Sequence, residues 1–139
     1  MTAPLPAVYV DTNIFIYLID GTPSFRQRAK DELATIQQVG SLVSSEITLG
    51  ECLRGALQMT NMESAATYTQ MLENAQVITL VPVTLSLIKR AAVLGAELNL
   101  KLVDAIHVAT AEASGCAEFL TNDRRIRTPT PIAIRPFGP

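Results

Sequence analysis

A chain of 139 residues suits one hydrophobic core better than two small ones. With 48% hydrophobic and 17% charged residues it holds enough apolar material to offset the ordering entropy of a compact fold, which excludes a disordered chain. A formal net charge of −2 excludes the overall basic balance of a general phosphate binder, and is consistent with carboxylates gathered in one site beside local Arg and Lys. In chain order, Met1 to Pro6 lacks the basic-then-apolar plan of a signal peptide, and a cytoplasmic protein is expected. Ala7 to Val10 is a short β-favouring run that stops at Asp11-Thr12-Asn13, a cluster of helix-capping side chains, so strand, turn and helix are predicted in succession. The helix Ile14 to Ile19 ends at Asp20-Gly21-Thr22-Pro23. A second helix from Ser24 to about Val39 carries Phe25, Ala29, Leu33 and Ile36 at helical spacing.

After Gly40, Ser41 to Ser44 is compatible with a second strand, and Glu46 to Leu57 with a helix through Ile47, Leu49, Leu53 and Leu57. Asn61 and Glu63-Ser64 start a helix to about Asn74. Val77 to Val81 reads as a third strand, and Thr84 or Ser86 opens a helix through Leu87, Ala91, Leu94 and Leu98. Leu102 to Ala113 is a nearly all-apolar helix ended by Gly115. Glu118 to Thr121 reads as a fourth strand before the polar turn Asn122 to Arg125. Ile132 to Ile134, between Pro131 and Pro136, reads as a last strand at a sheet edge. No uninterrupted apolar run reaches the roughly 18 residues of a membrane-spanning helix. Cys52 and Cys116, two and far apart, are expected as buried free thiols.

Alternating strands and helices imply a parallel sheet covered on both faces, because each helical crossover returns the chain to the same end of the sheet. Ligands collect outside the carboxyl ends of such strands. Asp11 and Asp123 each follow a predicted strand and are expected at that end.

Four segments carry more specific information: Val10 to Asn13, Glu46 to Gly55 around Glu51, Leu102 to Ala109 around Asp104, and Leu120 to Ile126 around Asp123. They resemble the acidic motifs of PIN domains, and their order and separation resemble those of the VapC toxins of toxin–antitoxin pairs. The resemblance covers nearly the whole chain and implies an α/β fold, a three-layer α/β/α sandwich with a short, mostly parallel central sheet, as a single domain over residues 1–139. It implies that Asp11, Glu51, Asp104 and Asp123 form a metal-binding, catalytic acidic cluster supported by Asn13 and Thr121. It also implies Mg²⁺, or Mn²⁺ in its place, as cofactor, with one ion or two left open. The implied activity is endoribonucleolytic: water attacks the RNA phosphodiester in line and leaves 5′-phosphate and 3′-hydroxyl ends. The implied partners are an RNA substrate, a small cognate antitoxin and a second copy in a homodimer, with no membrane. The alternative is a PIN-fold module that binds RNA or protein without cleaving.

Mg²⁺ is a hard cation that prefers carboxylate and water oxygens, which is why this chemistry uses acidic side chains. Each acid also has an ordinary reading: Asp11 as a helix cap, Asp104 as a charge on a helix N-terminus, Glu51 as a surface partner of Arg54, Asp123 as a turn residue. His107, the only histidine, lies one turn after Asp104. It reads as a packed helical residue rather than a general base, since a metal-bound water needs no imidazole. Arg124, Arg125, Arg127 and Lys101 are candidate phosphate contacts, with an ion-paired solvated turn as the alternative. Met59, Met62 and Met71 read as core-filling residues, with an adaptable partner surface as the alternative.

Overall fold

The computed structural model describes residues 5–138. Its centre is a five-stranded, wholly parallel sheet in the order β3-β2-β1-β4-β5, built from β1 (Ala7–Val10), β2 (Ser41–Ser45), β3 (Thr79–Val81), β4 (Glu118–Thr121) and β5 (Ala133–Pro136). The helices are α1 (Thr12–Asp20), α2 (Pro23–Val39), α3 (Glu46–Gln58), α4 (Met62–Leu72), α5 (Leu85–Leu98) and α6 (Leu102–Ala113). The α/β/α sandwich expected from the sequence is the architecture observed. Among the described residues, no helix is long and apolar enough to cross a membrane.

Strand alternation sorts the core into two halves. Val8, Val10, Leu42 and Leu120 face α1 to α4, with Ile14, Phe15, Leu33 and Tyr68 in the same cluster. Tyr9, Val43 and Phe119 face the other way, against Leu94 of α5 and Ile106, Val108 and Ala109 of α6. The same period-two rule puts the next side chain after Val10, that of Asp11, on the α6 side. Asp11 is still extended (φ −71°, ψ 156°), and its N–H donates to Leu120 O at 3.0 Å, continuing the β1–β4 ladder by one residue.

Helix starts follow local chemistry. Thr22 accepts from the Phe25 N–H ahead of Pro23 in the first turn of α2, and Ser45, Asn61 and Thr84 cap α3, α4 and α5 with side-chain oxygens. Gly115 follows α6 with φ +67°, a conformation glycine adopts without steric penalty. Differences from the sequence reading are confined to element ends. Val77 and Ile78 do not join β3, because their N–H groups donate to Asn74 O in the turn after α4. The last strand is shifted to Ala133–Pro136: the Ile132 N–H is taken by Pro129 O, while Arg135 and Pro136 align with Leu120 and Thr121. The strand lies at the sheet edge, where a proline within it removes no interior ladder bond. Cys52 and Cys116 are buried free thiols. Met59 and Met62, at the α3–α4 turn, are 80% and 63% exposed rather than core-filling; Met71 packs against the core.

Candidate active site

The carboxyl ends of β1 and β4, the start of α6 and the middle of α3 enclose one polar site. Asp11 is its most buried acid, 7% exposed. Its Oδ1 accepts from the Thr12 N–H at 2.9 Å, so the capping role is present, while its Oδ2 accepts from Thr121 Oγ1 at 2.7 Å and from Asn13 Nδ2 at 3.5 Å. The cap and the site are one residue doing both. Thr121 Oγ1 also accepts from the Asp123 N–H at 2.9 Å, tying the β4 turn to Asp11. Thr121 and Asn13, the supporting residues expected from the sequence, touch Asp11 directly.

Glu51 does not pair with Arg54. Its Oε1 accepts from Thr12 Oγ1 at 2.7 Å and lies 2.7 Å from His107 Nε2. His107 is 1% exposed, and its Nε2 lies 3.9 Å from Asp11 Oδ1, while its Nδ1 is 2.6 Å from the Tyr9 hydroxyl. It is packed, as the sequence suggested, but it is packed into the site. Asp104 stands in the first turn of α6, one helical turn before His107 and on the same face. Asp123 is clamped by Arg125, whose Nε and Nη2 each reach a different carboxylate oxygen at 3.0 Å.

The electrostatics record how the acids sense one another. Burial pushes the Asp11 carboxyl above its ordinary value, against lowering by His107 and by its hydrogen bonds. Asp104 is also raised, first by burial and then by the charges of Asp11 and Asp123. For Glu51 burial acts upward, but the hydrogen bonds from His107 and Thr12 outweigh it and the carboxyl lies below its ordinary value. The Arg125 hydrogen bonds hold Asp123 low, with Lys101 adding to the effect. For His107 burial acts downward, yet the bond to Glu51 and the charges of Asp11, Glu51 and Asp104 leave the imidazole raised.

Among the described residues, no three acidic, histidine or cysteine side chains stand close enough to surround one ion. The oxygen-only donor set nonetheless fits Mg²⁺, which keeps several waters and is commonly held by one or two carboxylates plus substrate phosphate. Asp11 and Asp104, both raised and mutually repelling, are the pair a divalent cation would relieve. Glu51 can add its second oxygen. Asp123, both of whose oxygens accept from Arg125, is the less available ligand, a difference in readiness that the four motifs did not reveal. Arg124 and Lys101 are exposed beside this group, whereas Arg125 has its charge committed to Asp123.

Sequence reasoning missed Tyr9, Thr12 and Thr48. Thr48 Oγ1 lies 2.7 Å from Ser44 Oγ and 3.4 Å from Thr12 Oγ1, so a line of hydroxyls leads from the sheet to Glu51. One signal was available: alternation puts Tyr9 and Asp11 on one face, and helical spacing puts Asp104 and His107 on one face.

The chain was compared with known proteins. The PIN domain family model matches residues 8–129. Among curated proteins, none matches. Of solved structures, VapBC2 from Rickettsia felis bound to a promoter DNA fragment superposes with a TM-score of 0.73 at 17% identity, covering 94% of this chain and 98% of that one. DNA-bound VapBC from Salmonella typhimurium gives 0.69 at 18% identity, covering 96% and 100%. VapC20 of Mycobacterium tuberculosis, a toxin that cleaves the sarcin–ricin loop, gives 0.66 at 20% identity over 81% and 86%. With a parallel sheet carrying acids at the carboxyl ends of its strands and a family match over most of its length, the chain belongs to the PIN domain family.

Proposed function

We propose that this PIN domain is an endoribonuclease of the toxin class, acting with Mg²⁺ or Mn²⁺ at Asp11 and Asp104, with Glu51 and Asp123 completing the acidic group. One observation carries the reading: a buried aspartate, held by Thr121 and the Thr12 N–H, feels the charge of Glu51 and acts on Asp104, which in turn feels Asp123, at the carboxyl end of the sheet. Capping α1 does not require a buried charge, since an exposed or neutral side chain caps a helix as well, and burying a carboxylate is costly even when it is hydrogen-bonded.

When bound, the ion supplies a water of lowered pKa and neutralises charge on the attacked phosphate. The residues of the chain supply placement. Thr121 and the Thr12 N–H hold both oxygens of Asp11. Thr12 and His107 fix one oxygen of Glu51. Lys101 and Arg124 offer exposed cations to the phosphates on either side of the cut. Products are a 5′-phosphate and a 3′-hydroxyl.

The toxin assignment draws on the structural likeness to VapBC complexes, and the partner proposed is a small antitoxin protein. A homodimer is proposed with it, for which the exposed apolar residues Leu85 and Ile88 of α5 and Leu102 and Val103 of α6 offer a surface; sedimentation analysis tests it. A second reading, a binding module that does not cleave, is favoured by the Arg125 clamp on Asp123 and by the absence of a preformed three-ligand group among the described residues. A cleavage assay on RNA separates the two. Wild type in Mg²⁺ should give product, and chelator, Asp11→Asn and Asp104→Asn should each abolish it. Equal product from all of these points to another nuclease in the preparation and leaves the binding module.

A further inference from the structure

The nuclease reading leaves a buried histidine without a task, since metal-activated water needs no imidazole base. The surroundings of His107 are nonetheless built to hold it in one orientation. Its ring meets Tyr9 edge-on at 5.8 Å between centroids, and Tyr9 in turn stacks on Phe119 at 4.8 Å. Each ring nitrogen has a close partner, Tyr9 Oη at 2.6 Å from Nδ1 and Glu51 Oε1 at 2.7 Å from Nε2.

The partners dictate where the proton sits. A carboxylate only accepts, so Nε2 carries hydrogen and donates to Glu51. In the neutral ring Nδ1 is then an acceptor, and the Tyr9 hydroxyl 2.6 Å away is the donor it needs. Thr12 Oγ1 donates to the same Glu51 oxygen at 2.7 Å. Both hydrogen bonds therefore fall on Oε1. Among the described residues Oε2 receives none, and the Glu51 side chain is 39% exposed. A glutamate with three side-chain torsions would otherwise sample many orientations at the edge of the site.

We propose that His107, backed by Tyr9, is a positioning residue that fixes Glu51 by one oxygen and leaves the other as a single-oxygen ligand for the divalent cation. The inference rests on the nuclease reading, since it gives Glu51 a metal to hold. Outer partners of this kind, when lost, commonly weaken metal affinity by about 10–100-fold.

The test uses the full chain with Mg²⁺ alone as probe, reading the Mg²⁺ concentration at the midpoint of the rise in melting temperature. His107→Leu is expected to move that midpoint upward by about 10–100-fold. His107→Gln, whose amide Nε2 offers an N–H at a similar reach, restores most of it. Tyr9→Phe keeps the ring against Phe119 but removes the hydroxyl, and moves the midpoint in the same direction by a smaller factor. On RNA, kcat falls in His107→Leu while KM is unmoved. The proposal is overturned if His107→Leu melts lower without metal yet keeps the wild-type Mg²⁺ midpoint within about twofold, which marks a packing residue and nothing more. If His107→Leu does not fold, Tyr9→Phe decides: equal midpoints in wild type and Tyr9→Phe overturn the proposal, and a raised midpoint in Tyr9→Phe supports it. A wild-type protein that responds to no concentration of Mg²⁺, nor of Mn²⁺ in its place, overturns the nuclease reading itself, and this one with it.

Discussion

Thr121→Val changes almost no volume and removes one hydroxyl, so its effect isolates the polar link between the two strand-end acids. The Thr121 hydroxyl is buried, donates to Asp11 Oδ2 at 2.7 Å and accepts from the Asp123 N–H at 2.9 Å. A bond to a charged acceptor contributes about 1.5–3 kcal/mol, and a polar group left without a partner adds about 1 kcal/mol or more where it is desolvated. The expected loss is about 3 kcal/mol. For a domain of this length, where each kcal/mol moves the midpoint by roughly 3–4 °C, that is about 10 °C in Tm. Thr121→Ser keeps the hydroxyl and loses one methyl, about 0.8 kcal/mol, and should melt only a few degrees below wild type. Thermal circular dichroism in chelator, at one pH for all three proteins, gives the comparison. Reasoning from this hydroxyl fails if Thr121→Val melts within about 2 °C of wild type, the range of an inconsequential surface change, or if the serine and valine variants are equally destabilised.

Asp11→Asn tests the burial of the charge. The folded carboxyl lies above its ordinary value of 3.8, so the native state binds its proton more tightly than the unfolded chain. In metal-free protein this term therefore destabilises the fold as pH rises from 3.8 through the folded value, and the penalty is complete above that value. Asp11→Asn should raise the metal-free Tm at neutral pH and flatten its dependence over that window; a metal-free Tm below wild type counts against it. Arg125→Ala removes an exposed clamp and should leave the melting temperature nearly unchanged. It should let the Asp123 carboxyl rise toward its ordinary value in an NMR titration; an unmoved Asp123 resonance midpoint contradicts the clamp. Lys101→Ala and Arg124→Ala, if these side chains meet phosphates, should each reduce the slope of log Kd for single-stranded RNA against log salt by about 0.7; unchanged slopes place RNA elsewhere.

Much of the fold was legible because strand and helix periods were clean. Leu102 to Ala113 and Glu118 to Thr121 were bounded by Gly115 and by a polar turn, and the structure ends them there. Val77 and Ile78 suit a strand by their apolar, β-branched character, but their N–H groups donate to Asn74 O in a turn that Asn74 also closes by accepting from the Gln76 N–H with its side chain, a short-range asparagine signal that the apolar run outweighed. At the site, the acids were found through motif order, and Asp11 and Asp123 also through their place after strands. Their partners were harder to see. The Glu51–His107 contact joins residues 56 apart in sequence, and the Tyr9–His107 contact joins residues 98 apart. Arg54 was the closer guess for Glu51 in sequence, but it is exposed on α3, and a buried imidazole is a better partner for a half-buried carboxylate than a solvated cation. The Arg125 clamp is local to its turn, and there the sequence offered phosphate and carboxylate as equal partners.

The account stands on oxygens from distant parts of the chain gripping one cation. Crystals soaked in Mn²⁺ and measured for anomalous scattering test this most directly. The result predicted is a peak bounded by Asp11 and Asp104, with a Glu51 oxygen turned toward it, and no peak in Asp11→Asn. A peak that persists in Asp11→Asn, or one that lies away from both aspartates, contradicts the account.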